Sequence, residues 1–216
     1  VPVRSLELTV DLLERLVAKF AAPTAPAAPS VPAGGEAFVP DLPRLAGGRS
    51  VIYDGLYGAL ARELDALEGP LALCGLSLGA VLALNYALDR PQRVRALALI
   101  APQYRMPRLL LGVQSAVFRL MPRRAFGGMG FSKRDVIALT SSMRRLDFTP
   151  RLGKLACTAL IVCGRRDRAN MRAAEALAAL LPEARLETVA GGGHELNADA
   201  PEELARLLGG YLSDMA

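Results

Sequence analysis

LALCGLSLGAVLALNYAL, residues 71–88, contains the change of pattern that decides the fold. Leu71–Cys74 is a short apolar run, and Leu78–Leu88 has the spacing of a helix. Between them lies Gly75-Leu76-Ser77-Leu78-Gly79, a G-x-S-x-G pentapeptide. A serine on a sharp strand-to-helix turn holds its Oγ exposed at the carboxyl end of a sheet. The amides that follow it point toward developing negative charge. Small residues on either side keep such a turn clear of the strand and the helix. The bland alternative is a glycine-rich turn in which Ser77 serves only as a helix N-cap. Capping alone, however, does not call for glycine on both sides.

Outward from this stretch, strand-like and helix-like segments alternate. Strands are expected at Ser50–Tyr53, Leu71–Cys74, Val94–Ile100, Ala156–Cys163 and Arg185–Val189. Helices are expected at Leu56–Leu67, Leu78–Leu88, Ala169–Leu181 and Pro201–Tyr211, the last with Pro in its first turn. Strands with little polar alternation, separated by helix-length segments, describe a mainly parallel sheet covered on both faces. Three parts follow: an N-terminal helix and Pro/Ala-rich linker at 1–35, an α/β core at 36–103 and 152–216, and a helical lid inserted at 104–151.

Two further residues suit the chemistry of an activated serine. His194, in VAGGGHELNADAPEEL, is the single histidine of the chain and so the sole candidate imidazole base. Three glycines precede it and offer little to bury it, although a structural loop histidine is the plain alternative. Asp167 ends LIVCGRRD, where an apolar strand turns through Gly164. A carboxylate there is placed to orient an imidazole and stabilise its charged form. Its plain alternative is pairing with Arg165, Arg166 or Arg168. Asp54 and Glu195 are less well placed, and residues 95–134 contain no Asp or Glu.

The chain order Ser77, Asp167, His194, with the segments VIYD (51–54), CGLSLGAVLALNYALDRPQRVRALALIAP (74–102), ALIVCGRRD (159–167) and AGGGHELNADAPEEL (190–204), resembles the α/β-hydrolase fold superfamily in its small lid-bearing branch. The resemblance covers roughly residues 34–212, loosely over 103–155. It implies an α/β-hydrolase-like sheet, and residues 1–30 depart from the family's opening strand pair, so the N-terminal strands are expected to be shortened. It also implies Ser77 as nucleophile, His194 as base and then acid, and Asp167 as orienting carboxylate. The Leu78 N–H would be the first oxyanion donor. No His-Gly is present, and the nearest match, Ala33–Phe38, puts the second donor at Gly35 or Glu36.

Composition narrows the partners. The 216 residues carry a formal charge of +5. That charge is lopsided: residues 104–151 hold ten Lys/Arg against two Asp/Glu, a local balance of +8. The basic residues are not interleaved with aromatics, so no nucleic-acid partner is expected. One histidine excludes a His-rich metal site, and no metal or cofactor is expected. Cys74, Cys157 and Cys163 cannot close a disulfide framework; Cys74 and Cys163 are expected as buried free thiols in a reducing, cytoplasmic setting. No apolar run reaches a membrane span, and Glu7, Asp11, Glu14 and Lys19 argue against a signal peptide at 1–20.

The expected substrate is a small acyl compound, and the expected reaction is acyl transfer to water by a serine esterase or related hydrolase. Met106, Leu110, Val117, Phe118 and Met121 of the insertion are candidates for its apolar pocket. Arg105, Arg108, Arg119, Arg123 and Arg124 suit an anionic group, or are simply a solvated basic face. An amidase or aminopeptidase, a lyase on the same scaffold, and a non-catalytic binding protein are the alternatives. Shortened first strands also leave a sheet edge, which the N-terminal helix or a second copy of the chain is positioned to cover.

Overall fold

The computed structural model describes residues 38–47, 51–106, 108–126 and 130–214. The expected N-terminal helix and linker at 1–35 lie outside them. In chain order the regular elements are α1 (Leu42–Leu45), α2 (Tyr53–Asp65), β1 (Leu71–Leu76), α3 (Leu78–Asp89), β2 (Val94–Ile100), α4 (Arg108–Leu120), α5 (Lys133–Met143), β3 (Thr158–Gly164), α6 (Arg168–Leu180), β4 (Ala184–Val189), α7 (Leu196–Asp199) and α8 (Pro201–Ser213).

Among the described residues the strands form one four-stranded sheet in the order β1-β2-β3-β4, with every pairing parallel. Parallel neighbours need long crossovers, which the helices supply. The register runs Leu76↔Ile100, Ile100↔Val162 and Gly164↔Val189, so the carboxyl ends of the strands line up along one rim. Ligand chemistry in open α/β sheets gathers at that rim.

The apolar run of β2 reflects burial on both faces. Ala96, Ala98 and Ile100 pack with Leu160, Val162, Leu204, Leu207, Leu208 and Tyr211 in one core cluster. Leu97 and Leu99 alternate to the opposite face and are also fully buried. Tyr211 of α8 carries its hydroxyl into this layer. It accepts from Leu97 N–H at 3.1 Å and donates to Thr158 O at 2.8 Å. The phenol thus bonds backbone groups of both β2 and β3 and ties α8 to the sheet.

Contacts divide the chain into two units. Of the described residues, one unit takes 40–47, 51–60, 108–126 and 130–145, and the other takes 38–39, 61–106 and 146–214. The first has its own apolar cluster of Phe118, Phe126 and Val136, with Phe118 and Phe126 meeting edge to face at 5.7 Å. α5 starts on a capping box: the Ser132 hydroxyl accepts from Asp135 N–H, and the Asp135 carboxylate accepts from Ser132 N–H. The second unit holds the sheet.

Two expectations need correction. Residues 51–53 are not a strand: Tyr53 opens α2, and its N–H donates to Ser142 Oγ at 2.8 Å. Val51, Ile52 and Tyr53 are β-branched or aromatic and so read as a strand in sequence, yet Val51 and Tyr53 are buried and Ile52 is 48% exposed at the entry to a helix. Cys74 is surface-accessible rather than enclosed, although its surroundings desolvate the thiol enough to push it up to about 11. β1 is the outer strand of the described sheet, and Ala72 and Cys74 on one of its faces are open. Cys163 on the interior strand β3 is fully buried, and desolvation pushes its thiol up to about 12.

Candidate active site

The site forms where three chain turns meet at the rim of the sheet-bearing unit. The first is the β1–α3 turn. Ser77 sits at φ 51°, ψ −109°, a left-handed conformation costly for a residue with a Cβ. Its N–H donates to Ile100 O at 2.9 Å, which pins the bend to the end of β2. Gly75 is what lets α3 start so close: a Cβ there would lie 2.3 Å from the Gly79 carbonyl. Ser77 occupies the N-cap position of α3, yet its side chain makes no capping hydrogen bond. The capping alternative therefore fails, and the hydroxyl is engaged elsewhere.

The second turn follows β3. Asp167 is 5% exposed and caps α6, its Oδ1 accepting from Asn170 N–H at 3.3 Å. The third follows β4 and carries His194. The two loops are stitched together through the backbone, Arg165 N–H to Val189 O at 3.0 Å and Arg166 N–H to Gly192 O at 2.9 Å. Gly164 permits this approach, since a Cβ there would lie 2.3 Å from Gly193 O. Asp199 closes the histidine loop by accepting from Gly193 N–H at 2.6 Å.

These loops bring the three predicted residues into one line. His194 Nδ1 lies 2.6 Å from Asp167 Oδ2, and His194 Nε2 lies 2.9 Å from Ser77 Oγ. With Nδ1–H donating to the carboxylate, Nε2 is left as an acceptor for the serine hydroxyl. That tautomer is the one able to take the Ser77 proton. Leu78 is the first residue of α3, where amides lack intrahelical partners and attract anions. Glu195, next to the histidine, is raised from its ordinary value by burial, against a lowering pull from His194.

The other candidates are placed as follows. Gly35 and Glu36 lie outside the described residues, as does the side chain of Leu110. Met106 is buried, with its N–H on Leu146 O at 2.9 Å. Phe118 is enclosed by Phe126 and Val136, with Val117 and Met121 packed against the same cluster. Arg105 pairs with Asp147 at 3.4 Å. Among the described residues no group of acidic, His or Cys side chains is arranged to hold a metal ion, and no helix is long and apolar enough to cross a membrane.

Sequence reasoning missed Asn170 and Gln103. Asn170 Nδ2 lies 2.6 Å from Asp167 Oδ2 and 2.9 Å from His194 Nδ1, while its Oδ1 accepts from Gln103 Nε2 at 2.7 Å. Its one signal in sequence is the Asp-x-x-Asn spacing of an N-cap and the third helical residue. Gln103 carries no signal.

A parallel α/β sheet with a strained serine between strand and helix defines an α/β-hydrolase fold. The chain belongs to the alpha/beta hydrolase family, whose family model matches residues 16–207. It is 33% identical over 171 residues to the polyketide synthase ThaQ of Burkholderia thailandensis, an alignment covering 62% of this chain and 8% of that protein. The chain thus spans a small fraction of that relative's length. Among solved structures it resembles a hydrolase from Pseudomonas aeruginosa, with a TM-score of 0.66, 21% identity, and 75% and 72% of the two chains covered. It also resembles a thermophilic esterase from Thermogutta terrifontis, with a TM-score of 0.62, 21% identity, and 76% and 73% covered. These structural likenesses concern the fold.

Proposed function

We propose that the chain is a serine hydrolase that cleaves an ester or related acyl bond of a small, partly apolar substrate through an acyl-Ser77 intermediate. The observation that carries this reading is the continuous contact from Asp167 Oδ2 through the His194 ring to Ser77 Oγ, at 2.6 and 2.9 Å. Ser77 Oγ attacks the carbonyl carbon as its proton passes to His194 Nε2. The carbonyl oxygen takes the negative charge facing the Leu78 N–H, with Gly35 or Glu36 as the second donor. The tetrahedral species collapses, and the leaving group departs with the proton from His194. Water then attacks the acyl carbon, gives a proton to His194, and releases the acid with Ser77 restored. Asp167 holds the ring and stabilises the imidazolium at both stages.

The likeness to part of a polyketide synthase supports an acyl substrate. The basic, apolar insertion at 104–151 is the candidate determinant of acyl preference. The test is a panel of p-nitrophenyl esters of increasing acyl length, beside an amino-acid anilide. Turnover of the esters by wild type, lost in Ser77→Ala, is the expected result. Cleavage of the anilide alone, or equal turnover by the two proteins, would overturn the reading.

A further inference from the structure

We propose that Asn170 and Gln103 are positioning residues that hold the Asp167 carboxylate and, through it, the His194 ring; the inference rests on the serine hydrolase reading above. Four side chains form a closed polar chain behind the histidine. Gln103 Nε2 donates to Asn170 Oδ1 at 2.7 Å, Asn170 Nδ2 donates to Asp167 Oδ2 at 2.6 Å, and the same oxygen receives His194 Nδ1 at 2.6 Å. Asn170 is 6% exposed and Asp167 5%, so water does not stand in readily for either contact.

The orientation of the Asn170 amide follows from its neighbours. Turned over, Oδ1 would face a carboxylate oxygen, and Nδ2 would face the Gln103 amide nitrogen. The carboxylate only accepts, so it fixes which end of Asn170 meets Asp167, and Gln103 donates to the other end. Gln103 comes from the segment after β2, Asn170 from the first turn of α6, and His194 from the loop after β4. The pair therefore ties together segments that chain connectivity leaves independent.

The consequence concerns the histidine tautomer. Asn170 Nδ2 also lies 2.9 Å from His194 Nδ1. While Asp167 Oδ2 is held in place, Nδ1–H donates to it and Nε2 stays free to accept. If the carboxylate swings away, the Asn170 N–H is poised to donate to a bare Nδ1, which stabilises the tautomer that cannot take the serine proton. Asn170 thus supports the productive arrangement only together with a fixed Asp167.

The experiment uses the fact that His194 is the single histidine, so its imidazole NMR signals need no assignment among copies. Asn170→Asp keeps the side-chain size but replaces the donor with an acceptor. Asn170→Ala removes it, and Gln103→Ala leaves the Asn170 amide unanchored. The expected result is a displaced downfield Nδ1–H proton signal in Asn170→Asp, where a second acceptor competes with Asp167 for that proton, with kcat down by about 10²-fold and KM within about threefold. Asn170→Ala falls by about tenfold or more and Gln103→Ala by less. An Asn170→Asp enzyme with wild-type kcat and an unchanged Nδ1–H signal would overturn the proposal. So would full signal retention in Gln103→Ala should the Asn170 variants not fold. If wild type hydrolyses no ester but the Nδ1–H signal still depends on Asn170, the hydrolase reading fails and the positioning role stands.

Discussion

His194 Nε2 stands 2.9 Å from Ser77 Oγ, across 117 residues of chain. Nothing local brings them together: one sits on a turn after β1 and the other on a loop after β4. The parallel register that aligns the strand ends is what makes the contact. On the proposed mechanism, Ser77→Ala and His194→Ala each lower kcat by at least about 10³-fold, and the double variant is little worse than either. Steady-state ester hydrolysis by the three proteins checks this, and strictly multiplicative losses would contradict a shared role.

The two glycines flanking the serine differ in their surroundings. A Cβ on Gly75 would meet the Gly79 carbonyl at 2.3 Å, whereas one on Gly79 meets nothing within 4 Å among the described residues. Gly75→Ala is expected to abolish soluble, folded protein or at least activity. Gly79→Ala is expected to fold and to gain up to about 1 kcal/mol through helix propensity. Thermal melts of both variants decide it. Equal destabilisation would refute the steric account of the turn.

Tyr211 contributes to the sheet rather than to the site. Tyr211→Phe leaves Leu97 N–H and Thr158 O without their phenol partner, at a cost of about 1–3 kcal/mol. Denaturant titration should show that loss, with kcat unchanged in folded enzyme.

Asp65 is held below its ordinary 3.8, chiefly by its hydrogen bond with Arg90 and further by the Tyr86 hydroxyl. A carboxylate lowered on folding contributes stability that is present above its unfolded value and lost as pH falls through its folded one. The melting difference between wild type and Asp65→Asn should therefore be constant from neutral pH down to about 5 and shrink below about 4. A gap that widens on acidification would reverse the sign and contradict the pairing.

The legible parts of the sequence were those with a local physical signature. Val94–Ile100 is apolar throughout because both faces of β2 are covered, and its limits match the strand. Ser77 and Asp167 each follow an apolar run and His194 follows the short strand expected at Arg185–Val189, so their shared rim could be expected from the parallel topology. The reading failed where neighbours decide. Val51, Ile52 and Tyr53 are strand-favouring residue types, yet the Ser142 hydroxyl meets Tyr53 N–H at the start of a helix. Cys74 sits in an apolar segment but on the outer strand, so burial did not follow. The Asp-x-x-Asn spacing marks Asn170 only as a helix-start residue; its contact with His194, 24 residues away, and that of Gln103 with Asn170, 67 residues away, leave no trace in any spacing.

The central claim is an activated Ser77, and a fluorophosphonate probe followed by intact-mass measurement tests it most directly. The account predicts one adduct on wild type, none on Ser77→Ala, and strongly slowed labelling of His194→Ala. No adduct on wild type under conditions that label a known serine hydrolase, or an equal adduct on Ser77→Ala, would contradict it.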